Sequence, residues 1–346
     1  MTPEEISQLA FLLYPHLVRS KPDATSAESL AQRIKGMQEG LQPEDEFAAT
    51  VGWLGNCAAI HRIDQTPMPF PPLTEKMQAP DFIAFPMVCG RPSPVLIEVK
   101  SHNGEHLDWS EKYLNSLRKF AECLNLPLLV AWKCGALWFL VDHSHFEKNV
   151  TAYRLQFRKA IQQDLYCVLF RNLRVHMNPA LEFILEMKII DEVAGEKDTL
   201  LPEGPYQMEI AYAGFYRGGQ EIKDYDHKFS WLFYSTPDKV EFRRTGKQTC
   251  QQVFRPLPDH SFTLSNVLTT QLSMTSAGES VDWHRIMRDG KFASSGREFR
   301  AILRGAIDKG FVQYVFDIIP KTWPGFLPDE KKVMAGHTEY LAQETT

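Results

Sequence analysis

The sequence predicts an α/β protein in which a mixed sheet is flanked by helices. Three observations predict it. Helical periodicity fills the opening of the chain, strand-like runs follow between residues 57 and 101, and an amphipathic helix separates them from two further apolar runs.

In order, Ile6, Leu9, Leu12 and Leu13 recur at nearly helical spacing behind Pro3, Glu4 and Glu5. A second helix is expected after Thr25 or Ser26, with Glu28, Leu30 and Ile34, and Gly40 ends it. Pro43 opens a third, PEDEFAATVGWLG, which stops near Gly55. CAAIHRID reads as the first strand, and residues 67–80 form a proline-rich connection. DFIAFPMV and PVLIEVKS then read as adjacent strands around a turn at CGRPS. In LDWSEKYLNSLRKFAECLN, the residues Leu107, Tyr113, Leu114, Leu117, Phe120, Ala121 and Leu124 mark an amphipathic helix. LPLLVAWK and ALWFLVD are two more strands, which completes a first domain at 1–150.

A middle region is placed at 151–259. YRLQFRKAIQQDLYCVLF has helix and strand character at once, and NPALEFILEMKIIDEV is expected to be helical after Asn178 and Pro179. Pro202 and Gly204 mark a change of unit, after which residues 206–256 are rich in strand formers. The last region, 260–346, offers helices at FTLSNVLTTQL, DWHRIMRD and SSGREFRAILRGAIDKG, then a strand at FVQYVFDII. Helices followed by a strand or hairpin fit a winged-helix unit at about 260–325, in an additional α+β C-terminal region.

Composition narrows the function classes. Of 346 residues, 44% are hydrophobic and 23% charged, which suits a globular protein that dissolves in water. No run is long and apolar enough to span a bilayer, so no membrane partner is expected. The N-terminus lacks the basic start of a secretory signal, and the six cysteines show no zinc-knuckle spacing, so the expected location is cytoplasmic. A net charge of −5 argues against indiscriminate coating of nucleic acid but leaves room for a local basic cleft.

Two acidic strands carry the chemistry. Asp81 heads the first, in QAPDFIAF, and the second, PVLIEVKSH, carries Glu98 and Lys100. Alternate strand residues share a face, so Glu98 and Lys100 project together with Leu96, while Val95, Ile97 and Val99 face the other way. If the two strands pair, Asp81 approaches Glu98. Two carboxylates with the backbone carbonyl of Val99 suit Mg²⁺, or Mn²⁺ in its place. Such an ion polarises a phosphate and acidifies water, and Lys100 then orients or deprotonates that water or stabilises charge on the phosphoryl oxygens. The competing reading is plain: Pro-Asp starts many turns, and EVK suits an exposed salt-bridged face.

Pro80-Asp81 followed by Glu98-Val99-Lys100 resembles the signature of the PD-(D/E)XK nuclease superfamily, and the succeeding YLNSLRKFAECLNLPLLVAWKCGALWFLVD strengthens it. The pattern is similar to archaeal-type Holliday junction resolvases and restriction-endonuclease-like domains, over roughly residues 40–142. The resemblance implies a mixed central sheet flanked by helices and magnesium-dependent hydrolysis of DNA. It implies Asp81 and Glu98 as metal-binding acids and Lys100 as the catalytic lysine. Glu46 is the preferred match to a glutamate that many members carry on the preceding helix, with Glu44 close behind. Lys133 resembles a basic residue near the active face of resolvase-like domains, where it either contacts phosphate or is a plain exposed lysine at a strand end. His102 and His106 belong to a polar loop beside the motif, within reach of substrate.

In the C-terminal region Arg297, Arg300 and Arg304 share a helix face that suits phosphates, with Arg285, Arg288, Lys291 and Lys309 nearby. Trp283 and Phe299 are either exposed aids to such binding or core residues. The expected partner is DNA, with a homodimer attractive if cuts are paired. The expected activity is a Mg²⁺-dependent endodeoxyribonuclease of DNA repair or defence. Two alternatives stand beside it: a non-cutting DNA-binding or regulatory protein on a degenerate nuclease fold, and an interaction scaffold in which Asp81 and Glu98 lie apart.

Overall fold

The computed structural model describes residues 43–64, 77–150, 152–192, 206–234, 238–246, 248–275, 283 and 296–335. The helices expected before Gly40, most of the proline-rich connection and the DWHRIMRD helix apart from Trp283 lie outside them.

Helix α1 (43–54) begins at Pro43, whose missing N–H costs nothing in a first turn, and is followed by Gly55 at φ 75°. The central sheet follows. Its strands are β1 (Cys57–Arg62), β2 (Phe82–Val88), β3 (Arg91–Pro92), β4 (Val95–Ser101), β6 (Leu128–Cys134) and β7 (Leu137–Asp142), with β5 (His106–Ser110) set aside in a small sheet. The order is β1-β2-β4-β6-β7, with β3 paired to β2. The β4–β6 pair is parallel and the other neighbours are antiparallel, so the sheet is mixed. Between β2 and β3 the turn sets Cys89 at φ 47° and Gly90 at φ 74°, the two positive values that a tight hairpin requires.

Both faces of this sheet are covered. Val95, Ile97, Val99, Leu129 and Ala131 pack with Phe47 and Val51 of α1. Leu96, Val130 and Trp132 pack with Leu114 and Leu117 of helix α2 (Glu111–Leu124). The parallel β4–β6 step requires such a crossover. Leu107 and Trp109, expected in this helix, instead lie on β5. Their alternating burial matches a strand, and Ser110 then caps the helix by accepting from the Tyr113 N–H at 3.2 Å.

Beyond the sheet, β8 (Glu147–Lys148) and β9 (Ala152–Gln156) join β5. Helices α3 (Phe157–Gln162) and α4 (Tyr166–Phe170) resolve the ambiguous segment into a strand and two short helices. All five residues of α4 are buried in the α1-side core. Strand β10 (Arg174–Met177) leads to an antiparallel sheet of β11 (Leu181–Glu192), β12 (Tyr206–Arg217), β13 (Gln220–Glu221), β14 (Asp238–Arg244) and β15 (Thr249–Pro256), in the order β13-β12-β11-β15-β14. Residues 181–192 were expected as helix. The stretch LEFILEMKII satisfies both periods, and pairing with β12 on one side and β15 on the other selects the strand.

The chain closes with α5 (Phe229–Tyr234), β16 (Phe262–Thr263), α6 (Leu264–Thr275), α7 (Gly296–Asp308), β17 (Val312–Phe316) and a short helix at 330–335. Strand β17 pairs with β10, which also pairs with β16. Val267, Phe299, Leu303 and Phe311 join the same apolar cluster as α1 and α4, so no distinct winged-helix unit is delineated among the described residues. No helix among those residues is long and apolar enough to cross a membrane.

Candidate functional site

Strand alternation decides which face each polar residue meets. The even residues of β4 lie on the α2 side, because Leu96 belongs to the α2-side cluster while Ile97 and Val99 belong to the other. Glu98 therefore points into the α2 layer and is only 1% exposed. Its Oε1 accepts hydrogen bonds from Lys100 Nζ and from the Tyr113 hydroxyl of α2, while Oε2 is buried with no hydrogen-bond partner. Lys100 Nζ also lies 5.5 Å from the centre of the Tyr113 ring.

Asp81, itself buried, closes the notch from the neighbouring strand. Its Oδ2 accepts the Val99 N–H at 2.7 Å, and its backbone carbonyl accepts from Ile63 at 2.9 Å. The register explains why the side chain takes that N–H. Leu96 and His102 donate to the carbonyls of Pro127 and Lys133, so the even residues of β4 bond toward β6 and Val99 bonds toward β2. Phe82 pairs with Ile97, which puts Pro80 opposite Val99. Proline has no N–H to offer the Val99 carbonyl, so the ladder between these strands ends at the Pro80-Asp81 step.

The charges respond to this crowding. Burial and the nearby Asp81 raise the Glu98 pKa above the ordinary carboxyl value, against the opposing pull of Lys100. Burial also opposes charge on Lys100, but Glu98, Tyr113 and Asp81 outweigh it and hold the ammonium pKa above the usual lysine range. Lys100 is thus a cation at neutral pH. Burial, then Glu98, raises the Tyr113 hydroxyl, which stays a donor. Glu44, at the start of α1, is raised to about 7 by burial and by Asp81, while Arg62 pulls it back. Arg62 bonds Glu44 directly and reaches Asp45 Oδ1 at 2.8 Å.

The structure brings Asp81, Glu98 and Lys100 together. It places Glu46 elsewhere: that carboxylate accepts from Lys133 Nζ and, at 2.9 Å, from Trp138 Nε1. Lys133, an odd residue of β6 beside Leu129 and Ala131, shares the α1-side face with it rather than the face of Lys100. The glutamate whose charge is felt by the notch is Glu44. His102 is exposed just past β4, its carbonyl accepting from Trp132 Nε1 at 2.9 Å. His106 lies 3.5 Å from Asp108 on β5. Arg300 Nη1 donates to the Leu54 carbonyl at 3.3 Å, at the end of α1, and Arg304 is half-buried. Arg297 falls in the first turn of α7, with its side chain outside the described residues. Trp283 and Phe299 are buried. In the sequence Tyr113 reads only as an apolar helix position. The local signal was the serine cap at Ser110, which sets Tyr113 in the first turn over β4.

Among the described residues no group of three or more His, Cys, Asp or Glu side chains forms a metal-ligand cluster. The donors at the notch are the Asp81 and Glu98 carboxylates, both hard-oxygen ligands. That set fits Mg²⁺, which keeps several waters and takes few protein ligands, better than it fits a soft metal.

No family model matches the chain, and no curated protein matches it. Among solved structures it is similar to Archaeoglobus fulgidus Hjc, described as a Holliday junction resolvase from an archaeal hyperthermophile. The identity is 20% and the TM-score 0.28, over 34% of this chain and 89% of that one.

Proposed function

We propose that this chain is a magnesium-dependent phosphodiesterase that cuts DNA internally, in repair or in defence. The observation that carries the reading is Glu98, a carboxylate buried in the sheet with Oε2 lacking any partner, beside a second buried carboxylate and a lysine. A carboxylate buried this way costs free energy that plain packing would avoid, and a bound cation offsets that cost.

Asp81, Glu98 and the Val99 carbonyl would hold the ion. The chemistry supplied there by Mg²⁺, or by Mn²⁺ in its place, is polarisation of the scissile phosphate and acidification of water. Lys100, held as a cation by Glu98, stabilises negative charge on the phosphoryl oxygens and orients the attacking water. Tyr113 fixes the Glu98 carboxylate by donating to Oε1, which leaves Oε2 for the ion. Glu44 adds a titratable acid at the rim. DNA is the favoured substrate and a homodimer the favoured form for paired cuts.

The test is a cleavage panel of duplex, single-stranded, flap and four-way DNA, with RNA alongside, in Mg²⁺, Mn²⁺ or EDTA. Wild type cuts at least one form with metal and none in EDTA, and Lys100→Ala and Asp81→Ala each abolish cutting while keeping the wild-type circular dichroism. Wild-type protein that binds DNA but cuts none of these forms supports the non-cutting reading instead.

A further inference from the structure

The strand β17 that follows the arginine-bearing helix α7 carries a feature that the catalytic notch does not use. Strand register puts Arg174 opposite Phe316 and His176 opposite Tyr314. These four side chains therefore share one face of the three-stranded sheet β16-β10-β17. The other face, with Val175, Val315 and Phe262, packs into the α1-side core. The first face opens outward: Tyr314 is 60% exposed and Phe316 39%. The His176 and Tyr314 rings lie nearly parallel, 25° apart in plane with centres 6.0 Å apart. His176 is pinned there by its Nδ1, 2.9 Å from the His260 carbonyl. The ladder on one side and the core on the other hold this surface rigid.

We propose that this sheet face is a stacking platform for the bases of single-stranded nucleic acid. The chemistry of the four side chains selects that occupant. A phenol, a phenyl ring, an imidazole and a guanidinium each present a flat π face, and every base has one to match. Arg174, half-buried on the same face, adds positive charge suited to a phosphate backbone, although that charge also acts on the buried Asp164 carboxyl. A duplex hides its base faces inside the stack, so the face suits single strands. The α7 arginines are less free for this work: Arg300 is engaged at the C-terminus of α1. The platform does not rest on the cleavage reading, since binding needs neither metal nor chemistry.

The experiment measures binding of fluorescein-labelled oligothymidylate, oligouridylate and a duplex of equal length by anisotropy, in EDTA so that nothing is cut. Wild type binds at least one single strand more tightly than duplex. Tyr314→Ala and Phe316→Ala each weaken that binding roughly five- to a hundredfold, the span of one lost base–aromatic stack. Tyr314→Phe, which keeps the ring, restores the affinity. Arg174→Gln lowers the salt dependence by about one ion. Tyr314 is 60% exposed and Phe316 39%, so both variants keep the wild-type circular dichroism. The proposal is overturned if wild type shows no preference for single strands, or if the Tyr314→Ala/Phe316→Ala double variant binds them as wild type does. It is equally overturned if the double variant alters only self-association measured by ultracentrifugation, which would make this face a contact between copies. Protein that binds through these rings in EDTA and also cuts none of the DNA or RNA forms with Mg²⁺ or Mn²⁺ keeps the platform and sinks the nuclease reading.

Discussion

Glu44→Gln isolates the electrostatic strain at the rim of the notch. In the folded protein Glu44 is raised from 4.5 to about 7, first by burial and then by Asp81. The folded state therefore holds this proton more tightly than the unfolded chain does. The stability it contributes is fully present below about pH 4.5 and is lost as pH rises through about 7. At 1.36 kcal/mol per pKa unit the ceiling is about 3 kcal/mol. The Glu44 side chain keeps 20% of its surface in water and Arg62 keeps 40%, so screening lowers the working figure to about 2 kcal/mol. Glutamine keeps an oxygen for Arg62 and cannot ionise. Urea unfolding in EDTA, at fixed ionic strength, is the assay. Near pH 4 the variant and wild type should match, and near pH 8 the variant should be the more stable by about 2 kcal/mol. Parallel curves across that window would refute the argument. A variant that loses stability at high pH would show that Arg62 holds Glu44 ionised throughout.

Tyr113→Phe removes one donor from Glu98 while keeping the ring beside Lys100. A hydrogen bond to a charged acceptor is worth enough that kcat for cleavage should fall roughly tenfold with KM unchanged. Because Tyr113 favours the ionised form of Glu98, the acid limb of the pH–rate profile should also move to higher pH, and a superimposable profile would dismiss the role. Glu46→Ala strips both Lys133 and Trp138 of an acceptor. It should cost about 2 kcal/mol in urea unfolding, because a half-buried partner charge and the Trp138 N–H are left without their acceptor. Adding Lys133→Met should recover part of that cost, and a loss below about 1 kcal/mol would show the network to be inert.

Much of the central sheet was legible because its physics is local. In PVLIEVKS the period of two separates Ile97 and Val99 from Glu98, and the two apolar clusters divide along that line. Pro43, Gly55 and the turn at Cys89-Gly90 likewise announce chain reversals through their own backbone requirements. The misreadings occurred where distant partners decide. Residues 181–192 are a strand because β12 and β15 flank them, and no window of sequence contains those partners. The same holds for the stacking face. Tyr314 and Phe316 look like ordinary alternate strand residues until β10, far earlier in the chain, supplies His176 and Arg174 opposite them.

The choice between Glu44 and Glu46 shows how one helix resolves a question that spacing leaves open. Two residues along an α-helix turn a side chain by roughly 200°, so the two acids cannot serve the same face. Phe47, Val51 and Leu54 must meet the sheet, which fixes the rotation of α1. At that rotation Glu46 reaches Lys133 and Trp138 on the far edge of the β6–β7 hairpin, whereas Glu44 is left at the end of the sheet near Asp81 and Arg62. Glu46 is therefore not idle. By tying α1 to β6 and β7 it sets the helix phase that presents Glu44, and Arg300 holds the other end of the helix at Leu54. Glu44, which interacts electrostatically with Asp81, and Glu46, which bonds Lys133 and Trp138, are neighbours in sequence, and the rotation of α1 set by the packing of Phe47 separates them.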